Sequence, residues 1–161
     1  MPARGRLIAL EGIDGCGKST QARALAAGEW VVSDRFAGST IAYQGYGRGL
    51  PVAELARLTS WASGGLAADL SVLVDVSVAT AAARLAGPSG GGDRMERLGA
   101  DFAARVRDGF LAQADEDPAH WVVVDGSRSA EAITAHIVEA VHERLGEAPG
   151  HWAGDGNGVV R

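Results

Sequence analysis

Residues 12–19 constrain the fold of this chain more than any other segment. They have the order Gly-Ile-Asp-Gly-Cys-Gly-Lys-Ser and fit the pattern G-x-x-x-x-G-K-[ST] at every fixed position. Lys18 in this segment is the only lysine, although lysine and arginine together number 15. An ammonium is a compact charge on a slim stem, whereas a guanidinium is a broad planar fork, so a loop that wraps a phosphate has room for lysine. The segment therefore predicts a phosphate-binding loop for a nucleoside triphosphate.

Short apolar runs alternate with segments of helical periodicity along the chain. The apolar runs predict strands at residues 6–10, 29–33, 70–76 and 121–125. Helices are predicted in five places. They begin at Lys18, span residues 51–63, follow the third strand up to residue 86, include the series Leu98, Phe102, Val106 and Phe110, and begin after a cap near Ser129. Together with the glycine loop, this alternation predicts an α/β fold of the P-loop NTPase type, in which helices flank a parallel β-sheet in three layers.

Length and composition limit the number of domains and the kinds of partner. The chain of 161 residues is long enough for one domain, which we assign to residues 1–145, and a tail rich in Gly and polar residues over 146–161 is expected to be disordered. The formal net charge of −5 argues against nucleic acid or an anionic membrane as a partner. The single cysteine cannot form an intrachain disulfide, which indicates the cytoplasm, and no leader or long apolar run predicts export or a membrane span.

An acidic and a basic residue, Asp34 and Arg35, follow the second predicted strand. Because ligands bind beyond the carboxyl ends of parallel strands, both side chains would face the phosphates. Asp34 would then assist Mg²⁺, and Arg35 would bind an anionic group of an acceptor, with two hydrogen bonds if that group is phosphate. An exposed Asp–Arg pair without function fits the same two residues equally well, so the residues alone leave both interpretations open.

Some conspicuous residues are expected to have no chemical role. Cys16 is expected to fill a position in the glycine loop rather than to act as a reactive thiol. Trp61 and Trp121 are expected to lie in the core. The 4 histidines have no metal-ligand spacing, so no metal site is predicted from them.

Four segments in order resemble bacterial thymidylate kinase. They are Leu-Ile-Ala-Leu-Glu-Gly-Ile-Asp-Gly-Cys-Gly-Lys-Ser-Thr-Gln at residues 7–21, Trp-Val-Val-Ser-Asp-Arg-Phe at 30–36, Ser-Thr-Ile-Ala-Tyr-Gln-Gly at 39–45 and Asp-Arg-Met-Glu at 93–96. The resemblance extends from Arg6 to about Leu145. It implies phosphorylation of dTMP to dTDP in dTTP synthesis, with ATP as co-substrate, Mg²⁺ as cofactor, and the homodimer that is usual in the family.

The resemblance also implies roles for individual residues on both substrates. Lys18 would reach the transferred phosphoryl group, Asp34 would assist Mg²⁺ and Arg35 would bind the acceptor phosphate. The implied ATP-binding set is Gly12, Ile13, Asp14, Gly15, Cys16, Gly17, Lys18, Ser19, Thr20, Arg84 and Ser127. The implied dTMP-binding set is Asp14, Arg35, Thr40, Tyr43 and Gln44, and the implied Mg²⁺ ligands are Ser19 and Asp34.

The resemblance implies that the last catalytic residue comes from a lid. Position 15 is Gly rather than Arg, which is similar to the subtype whose catalytic arginine lies in the lid. The lid would be the glycine-rich segment at about residues 84–97, and Arg94 is expected to neutralise charge in the transition state, with Arg84 as the second choice. No general base is expected, because a phosphate oxygen is already ionised at neutral pH. In the family, the loop after the last strand lies against adenine, and residues 125–127 match that loop.

The resemblance is interrupted after the phosphate-loop helix. Thymidylate kinases have a block there that includes a strand and two helices, whereas here residues 24–27 lead directly into residues 28–30. In the family, that block carries an arginine that reads the thymine edge, an aromatic residue that stacks on the base, and much of the dimer interface. We therefore expect ATP binding to be better preserved than dTMP selectivity, dimerisation to be doubtful, and the strand at residues 30–33 to form an exposed sheet edge.

Two other functions remain open from the sequence. The missing block favours a nucleotide-binding remnant of the family with weak or no turnover. A P-loop kinase for another nucleotide fits the glycine loop, but it does not fit residues 43–45 and the lid motif.

Overall fold

A computed structural model describes residues 5–18, 30–86 and 99–146 of the chain. The strands are β1 (Leu7–Glu11), β2 (Val31–Asp34), β3 (Leu70–Asp75) and β4 (Trp121–Asp125). The helices are α1 (Ala37–Thr40), a π-helical segment (Ile41–Gly47), α2 (Val52–Ala62), α3 (Val78–Ala86), α4 (Ala100–Glu116) and α5 (Ala130–Leu145).

The four strands form one parallel sheet in the order β2-β1-β3-β4. Leu10 lies opposite Asp34 on one side and Val72 on the other, and Val74 lies opposite Val124. The carboxyl ends of parallel strands meet at the same edge of a sheet, where α/β proteins bind their ligands. The glycine loop after β1, the segment after β2 and the turn after β4 therefore lie at that edge.

Helices cover both faces of the sheet, which confirms the predicted three-layer α/β fold. The first apolar cluster packs under α5 and contains Ile8, Leu10, Val32, Leu70, Val72, Val124, Ile133, Ile137 and Val141. The second packs against α3, α4 and the π-helical segment and contains Ile13, Cys16, Ala42, Leu73, Val74, Val76, Ala81, Val106 and Phe110.

The helix predicted from Lys18 lies outside the described residues beyond Lys18 itself. The other predicted strands and helices agree closely with the described ones. The second strand begins two residues later than predicted and ends at Asp34, and α2 begins directly after Pro51. The cap predicted near Ser129 is confirmed, because the Ser129 hydroxyl accepts a hydrogen bond from the Ala132 amide at 3.2 Å. In the described residues, no helix combines the length and the apolar composition needed to cross a membrane. Leu98, residues 87–97 of the expected lid and residues 147–161 lie outside the described residues.

The expectation that Trp61 lies in the core is wrong. Trp61 is 81% exposed, and no residue of α2 is buried. The helix packs on the outer side of the π-helical segment, with Leu55 half-buried towards it, so the other side of α2 faces solvent. Trp121 is partly buried against the second cluster, in agreement with its expected place.

The expected sheet edge is present. Among the described strands, β2 lies at the end of the sheet beside β1, and Val31 in it is 59% exposed. An apolar edge strand offers unpaired backbone groups and is prone to pair with another chain.

Candidate active site

The loop after β1 has a backbone that only glycine adopts easily. Gly12 and Gly17 have φ angles of 136° and 103°. A Cβ at position 12 would lie 2.6 Å from Cys16 Sγ and 2.7 Å from the Val74 carbonyl oxygen, so glycine is required there. A Cβ at position 17 would meet no atom within 4 Å, so this side of the loop is open to a ligand. The loop is thus tightly packed at Gly12 and open at Gly17, and a phosphate site needs both a fixed backbone and an open side.

Gly15 is pressed against the neighbouring helix α3. Its φ is 85°, and a Cβ there would lie 2.7 Å from the Ala81 carbonyl oxygen and 3.0 Å from Leu85 Cγ in α3. No side chain fits between the loop and α3 without a backbone shift. The presence of glycine rather than arginine at this position therefore has a steric reason.

We expect Gly15→Ala to lower the free energy of unfolding by about 2–4 kcal/mol, because it adds a backbone clash to an unfavourable φ angle. Gly65→Ala is the matched control, since Gly65 has a φ of 77° but open space where a Cβ would stand. That control should lose only about 1 kcal/mol, the cost of the φ angle. Urea unfolding of both variants measures the difference, and equal losses would contradict the close contact with α3.

Lys18 is buried at the start of the predicted phosphate-loop helix, with 6% of its surface exposed. Its Nζ lies 3.4 Å from the Ile13 carbonyl oxygen and 3.6 Å from Asp14 Oδ1. Both contacts are long, and both partners belong to the same loop. The ammonium is therefore held over the glycine loop with capacity for a stronger anionic partner, such as a phosphate.

The Arg35 guanidinium lies across the mouth of the same loop. Its NH2 donates to an Asp14 carboxylate oxygen and, at 3.2 Å, to the Tyr43 hydroxyl. Its NH1 lies 3.5 Å from the Gly12 carbonyl oxygen and 3.2 Å from Ser39 Oγ. Asp14 thus pairs with both Lys18 and Arg35, and it joins the two cations at one place. Arg35 thus contacts the glycine loop, and its role on an acceptor stays a prediction.

Tyr43, like Asp14, belongs to the expected acceptor set and contacts Arg35 directly. It lies in the π-helical segment, and its ring meets the rings of Phe102 and Phe110 edge to face at 6.2 Å each. Thr40 and Gln44 lie on the same stretch of chain and are half-buried. π-Helical turns are rare and occur often at functional sites, where the wider turn changes the direction of a side chain.

Burial changes the protonation of several groups in this region. Desolvation raises the pKa of the Tyr43 hydroxyl and of the Cys16 thiol, so both are neutral at pH 7. Cys16 is fully buried in the second cluster, in agreement with a packing role. Burial alone would lower the pKa of Arg35, but the hydrogen bond to the Tyr43 hydroxyl and the attraction of the Asp14 and Glu11 carboxylates outweigh it and raise that pKa. Arg35 is therefore a permanent cation.

Asp34 supplies an exposed carboxylate at the carboxyl end of β2, beside the end of β1. Within residues 5–18, 30–86 and 99–146, no group of three or more His, Cys, Asp or Glu side chains could hold a metal ion. Mg²⁺ usually keeps several waters and binds one or two carboxylates together with substrate phosphates. A single exposed carboxylate next to a phosphate loop fits that donor set.

Arg84 joins the glycine loop to the turn after β4. It donates to the Cys16 carbonyl oxygen at 3.3 Å and to the Gly126 carbonyl oxygen at 2.8 Å. The neighbouring Ser127 donates from its amide and its hydroxyl to Asp125 Oδ1 at 2.9 and 2.6 Å, and these hydrogen bonds lower the pKa of Asp125. The residues expected around adenine are therefore tied to those expected around the phosphates.

Three residues of the predicted site, Ser19, Thr20 and Arg94, lie outside the described residues. The sequence reasoning gave no role to Glu11 and Ser39, which lie behind Arg35 and are 1% and 8% exposed. The sequence signal that could have identified Glu11 is its position, since it is a carboxylate at the carboxyl end of a buried strand, directly before the glycine loop. Such a residue is rarely buried unless it has partners.

A glycine loop that leads from the first strand of a parallel sheet to a buried lysine is the arrangement of the P-loop class of α/β proteins. A family model described as thymidylate kinase matches residues 22–137 of the chain. The chain therefore belongs to the thymidylate kinase family, as the four motifs implied.

Individual relatives agree with the family assignment. The chain is 45% identical over 126 residues to a thymidylate kinase of Desulforudis audaxviator, with 78% of this chain and 56% of the relative covered. It is 47% identical over 115 residues to one of Chromobacterium violaceum, with 71% and 54% covered. The chain thus spans about half the length of these curated relatives.

A solved structure agrees with the fold. The crystal structure of thymidylate kinase from Ehrlichia chaffeensis is similar with a TM-score of 0.66 and 20% sequence identity. The similarity covers 88% of this chain and 100% of the other. At this identity, the likeness supports the three-layer fold.

Proposed function

We propose that the protein transfers the γ-phosphoryl group of Mg·ATP to dTMP and forms dTDP. The observation that carries the proposal is the Arg35 guanidinium, which is held between Asp14 and Tyr43 directly beside the phosphate loop. A cation at that place suits an anionic acceptor, and a phosphate acceptor needs no general base.

On the ATP side, residues 12–20 would hold the phosphates and Lys18 would reach the β- and γ-phosphates. The open concave side at Gly17 supports this role. Arg84 would approach the nucleotide from α3, and Ser127 would lie beside adenine. Both residues stand where the glycine loop and the turn after β4 come together.

On the acceptor side, Arg35 would bind the phosphate of dTMP. Asp14 would lie near the sugar hydroxyl, and Tyr43, Thr40 and Gln44 would approach the thymidine. The Tyr43 hydroxyl already contacts Arg35, and its ring packs on Phe102 and Phe110, so one wall of this pocket is rigid.

Catalysis would consist of alignment and charge neutralisation. Ser19 and Asp34 would hold the Mg²⁺ ion, which supplies positive charge to the phosphate oxygens when bound. Lys18 and Arg35 would fix donor and acceptor in line, and Arg94 would bring the last positive charge. The reaction uses substrates of the cytoplasm, where we place the protein, and we propose that dimerisation is weakened or lost.

A panel of acceptors tests the function. The purified chain is incubated with Mg·ATP and, separately, dTMP, dUMP, dCMP, dAMP, dGMP or thymidine, and nucleoside diphosphates are separated by chromatography. We expect dTMP to be the best acceptor, dCMP to react measurably because part of the family's base-reading block is absent, and thymidine not to react. Transfer to a purine nucleotide in preference to dTMP would contradict the proposal.

We expect Arg94→Ala to lower kcat by about 10³-fold, because an arginine that neutralises the transferring phosphoryl group has effects of that size. The affinity for ATP should change less than threefold. Arg97→Ala is the control, because it removes a nearby arginine outside the Asp-Arg-Met-Glu motif at residues 93–96. Steady-state kinetics with both variants decide the role, and a loss confined to ATP affinity would make Arg94 a binding residue.

A further inference from the structure

The backbone of Arg35 is held in an unfavourable conformation. Arg35 has a φ of 74°, and it is the only non-glycine residue with a positive φ in the described part of the chain. Such a conformation costs about 1–3 kcal/mol and persists only where the surroundings enforce it. The contacts around Arg35 therefore show what places this side chain.

Hydrogen bonds hold the main chain on both sides of Arg35. Its amide donates to the Leu10 carbonyl oxygen at 3.0 Å, and its carbonyl oxygen accepts from Ser33 Oγ at 2.7 Å. The next amide, that of Phe36, donates to Glu11 Oε1 at 2.9 Å. Glu11 is thus the side-chain acceptor for the amide that directly follows the unfavourable turn.

The same carboxylate also reaches the guanidinium through one hydroxyl. Ser39 Oγ donates to Glu11 Oε2 at 2.5 Å and accepts from Arg35 NH1 at 3.2 Å. One oxygen of Glu11 therefore holds the main chain next to Arg35, and the other oxygen holds its side chain.

Glu11 is enclosed by neighbouring residues. It is 1% exposed, and a Cβ on Gly38 would lie 3.1 Å from Glu11 Oε1 and 2.9 Å from the Trp121 ring. Burial raises the pKa of Glu11, whereas the hydrogen bonds from Ser39 and Phe36 and the attraction of Arg35 lower it. A carboxylate at such a depth is costly unless each oxygen has a donor, and here each oxygen has one.

We propose that Glu11 is a positioning residue that aims Arg35 at the anionic group of the acceptor, through the Phe36 amide and the Ser39 hydroxyl. This inference rests on the proposed function. Glu11 itself touches no substrate. Its loss should therefore weaken recognition of the acceptor phosphate while the binding of ATP stays the same.

Calorimetry with dTMP and with thymidine measures that recognition, because the two ligands differ only in the phosphate. We expect the preference for dTMP to fall about tenfold in Glu11→Gln and in Ser39→Ala, the size expected for one hydrogen bond to a charged group. The Kd for ATP should change less than twofold in both variants.

Asp69→Asn is the matched control. Asp69 also accepts from a backbone amide, that of Leu7 at 2.9 Å, and from an arginine, Arg6 at 3.1 Å. It lies before β3, at the opposite end of the sheet from the glycine loop. Asp69→Asn should leave the preference for dTMP unchanged.

A second measurement needs no ligand. Hydrogen exchange of the Phe36 amide should be slow in the wild type and in Asp69→Asn, and at least about tenfold faster in Glu11→Ala, which removes its acceptor. An unchanged dTMP preference in Glu11→Gln, or an unchanged exchange rate in folded Glu11→Ala, overturns the inference. If the wild type binds dTMP no better than thymidine, the proposed function fails, and the exchange rate alone then decides whether Glu11 holds the Arg35 turn.

Discussion

Lys18→Ala should lower kcat/KM for phosphoryl transfer by about 10³-fold, because it removes a buried cation aimed at the charge that develops in transfer. The native contacts of Lys18 are long, 3.4 Å to the Ile13 carbonyl oxygen and 3.6 Å to Asp14, so the fold gains little from them. The variant should therefore stay folded, with a free energy of unfolding within about 1 kcal/mol of the wild type.

Arg144→Ala is the matched control for Lys18→Ala. Arg144 is a cation that also donates to backbone carbonyl oxygens, those of Pro118 at 2.8 Å and Ala119 at 3.1 Å. It lies at the end of α5, away from the glycine loop, and its removal should leave turnover within twofold. Turnover by Lys18→Ala at the wild-type rate would contradict the assignment of residues 12–19 as a phosphate-binding loop.

Arg35→Lys should raise the KM for dTMP by about 100-fold, because breaking one partner of a hydrogen-bonded charge pair costs a few kcal/mol. Lysine keeps the charge but cannot reproduce the fork that contacts Ser39 on one arm and Asp14 and Tyr43 on the other. The KM for ATP should change less than threefold, since Lys18 and the glycine loop remain.

Arg107→Lys is the control for Arg35→Lys. Arg107 forms a two-pronged pair with Asp75 at the end of β3, with both N–O distances at 2.7 Å. It makes the same kind of contact, but its partner is Asp75 rather than a residue of the glycine loop, so the KM for dTMP should change much less than in Arg35→Lys. Equal effects of the two substitutions on the KM for dTMP would show that Arg35 acts through stability. An unchanged KM for dTMP in Arg35→Lys would show that Arg35 does not bind the acceptor.

The fold could be predicted from local signals because those signals agree along the chain. The β-branched run of residues 70–76 became β3 as Leu70–Asp75, and the cap near Ser129 begins α5. The glycine loop could be placed because its φ angles demand glycine at Gly12 and Gly17. Each of these features depends on residues that are close in sequence.

The features that the sequence did not predict depend on contacts between segments that are far apart in the chain. Trp61 is apolar and lies in a helix, but its exposure is decided by the side of α2 that packs on the π-helical segment. Glu11 gained its role from Phe36 and Ser39, more than 20 residues away. The steric need for Gly15 arises from Ala81 in α3. Periodicity and motif spacing carry no information about such long-range contacts.

Formation of dTDP from dTMP and Mg·ATP by the purified chain, shown by circular dichroism to be folded, tests the central claim most directly. Product is quantified by chromatography alongside ADP. The proposed function predicts dTDP and ADP in equal amounts over many turnovers, and their loss in Lys18→Ala. A folded sample that binds ATP but forms no dTDP would contradict it, and would leave a nucleotide-binding protein without the kinase reaction.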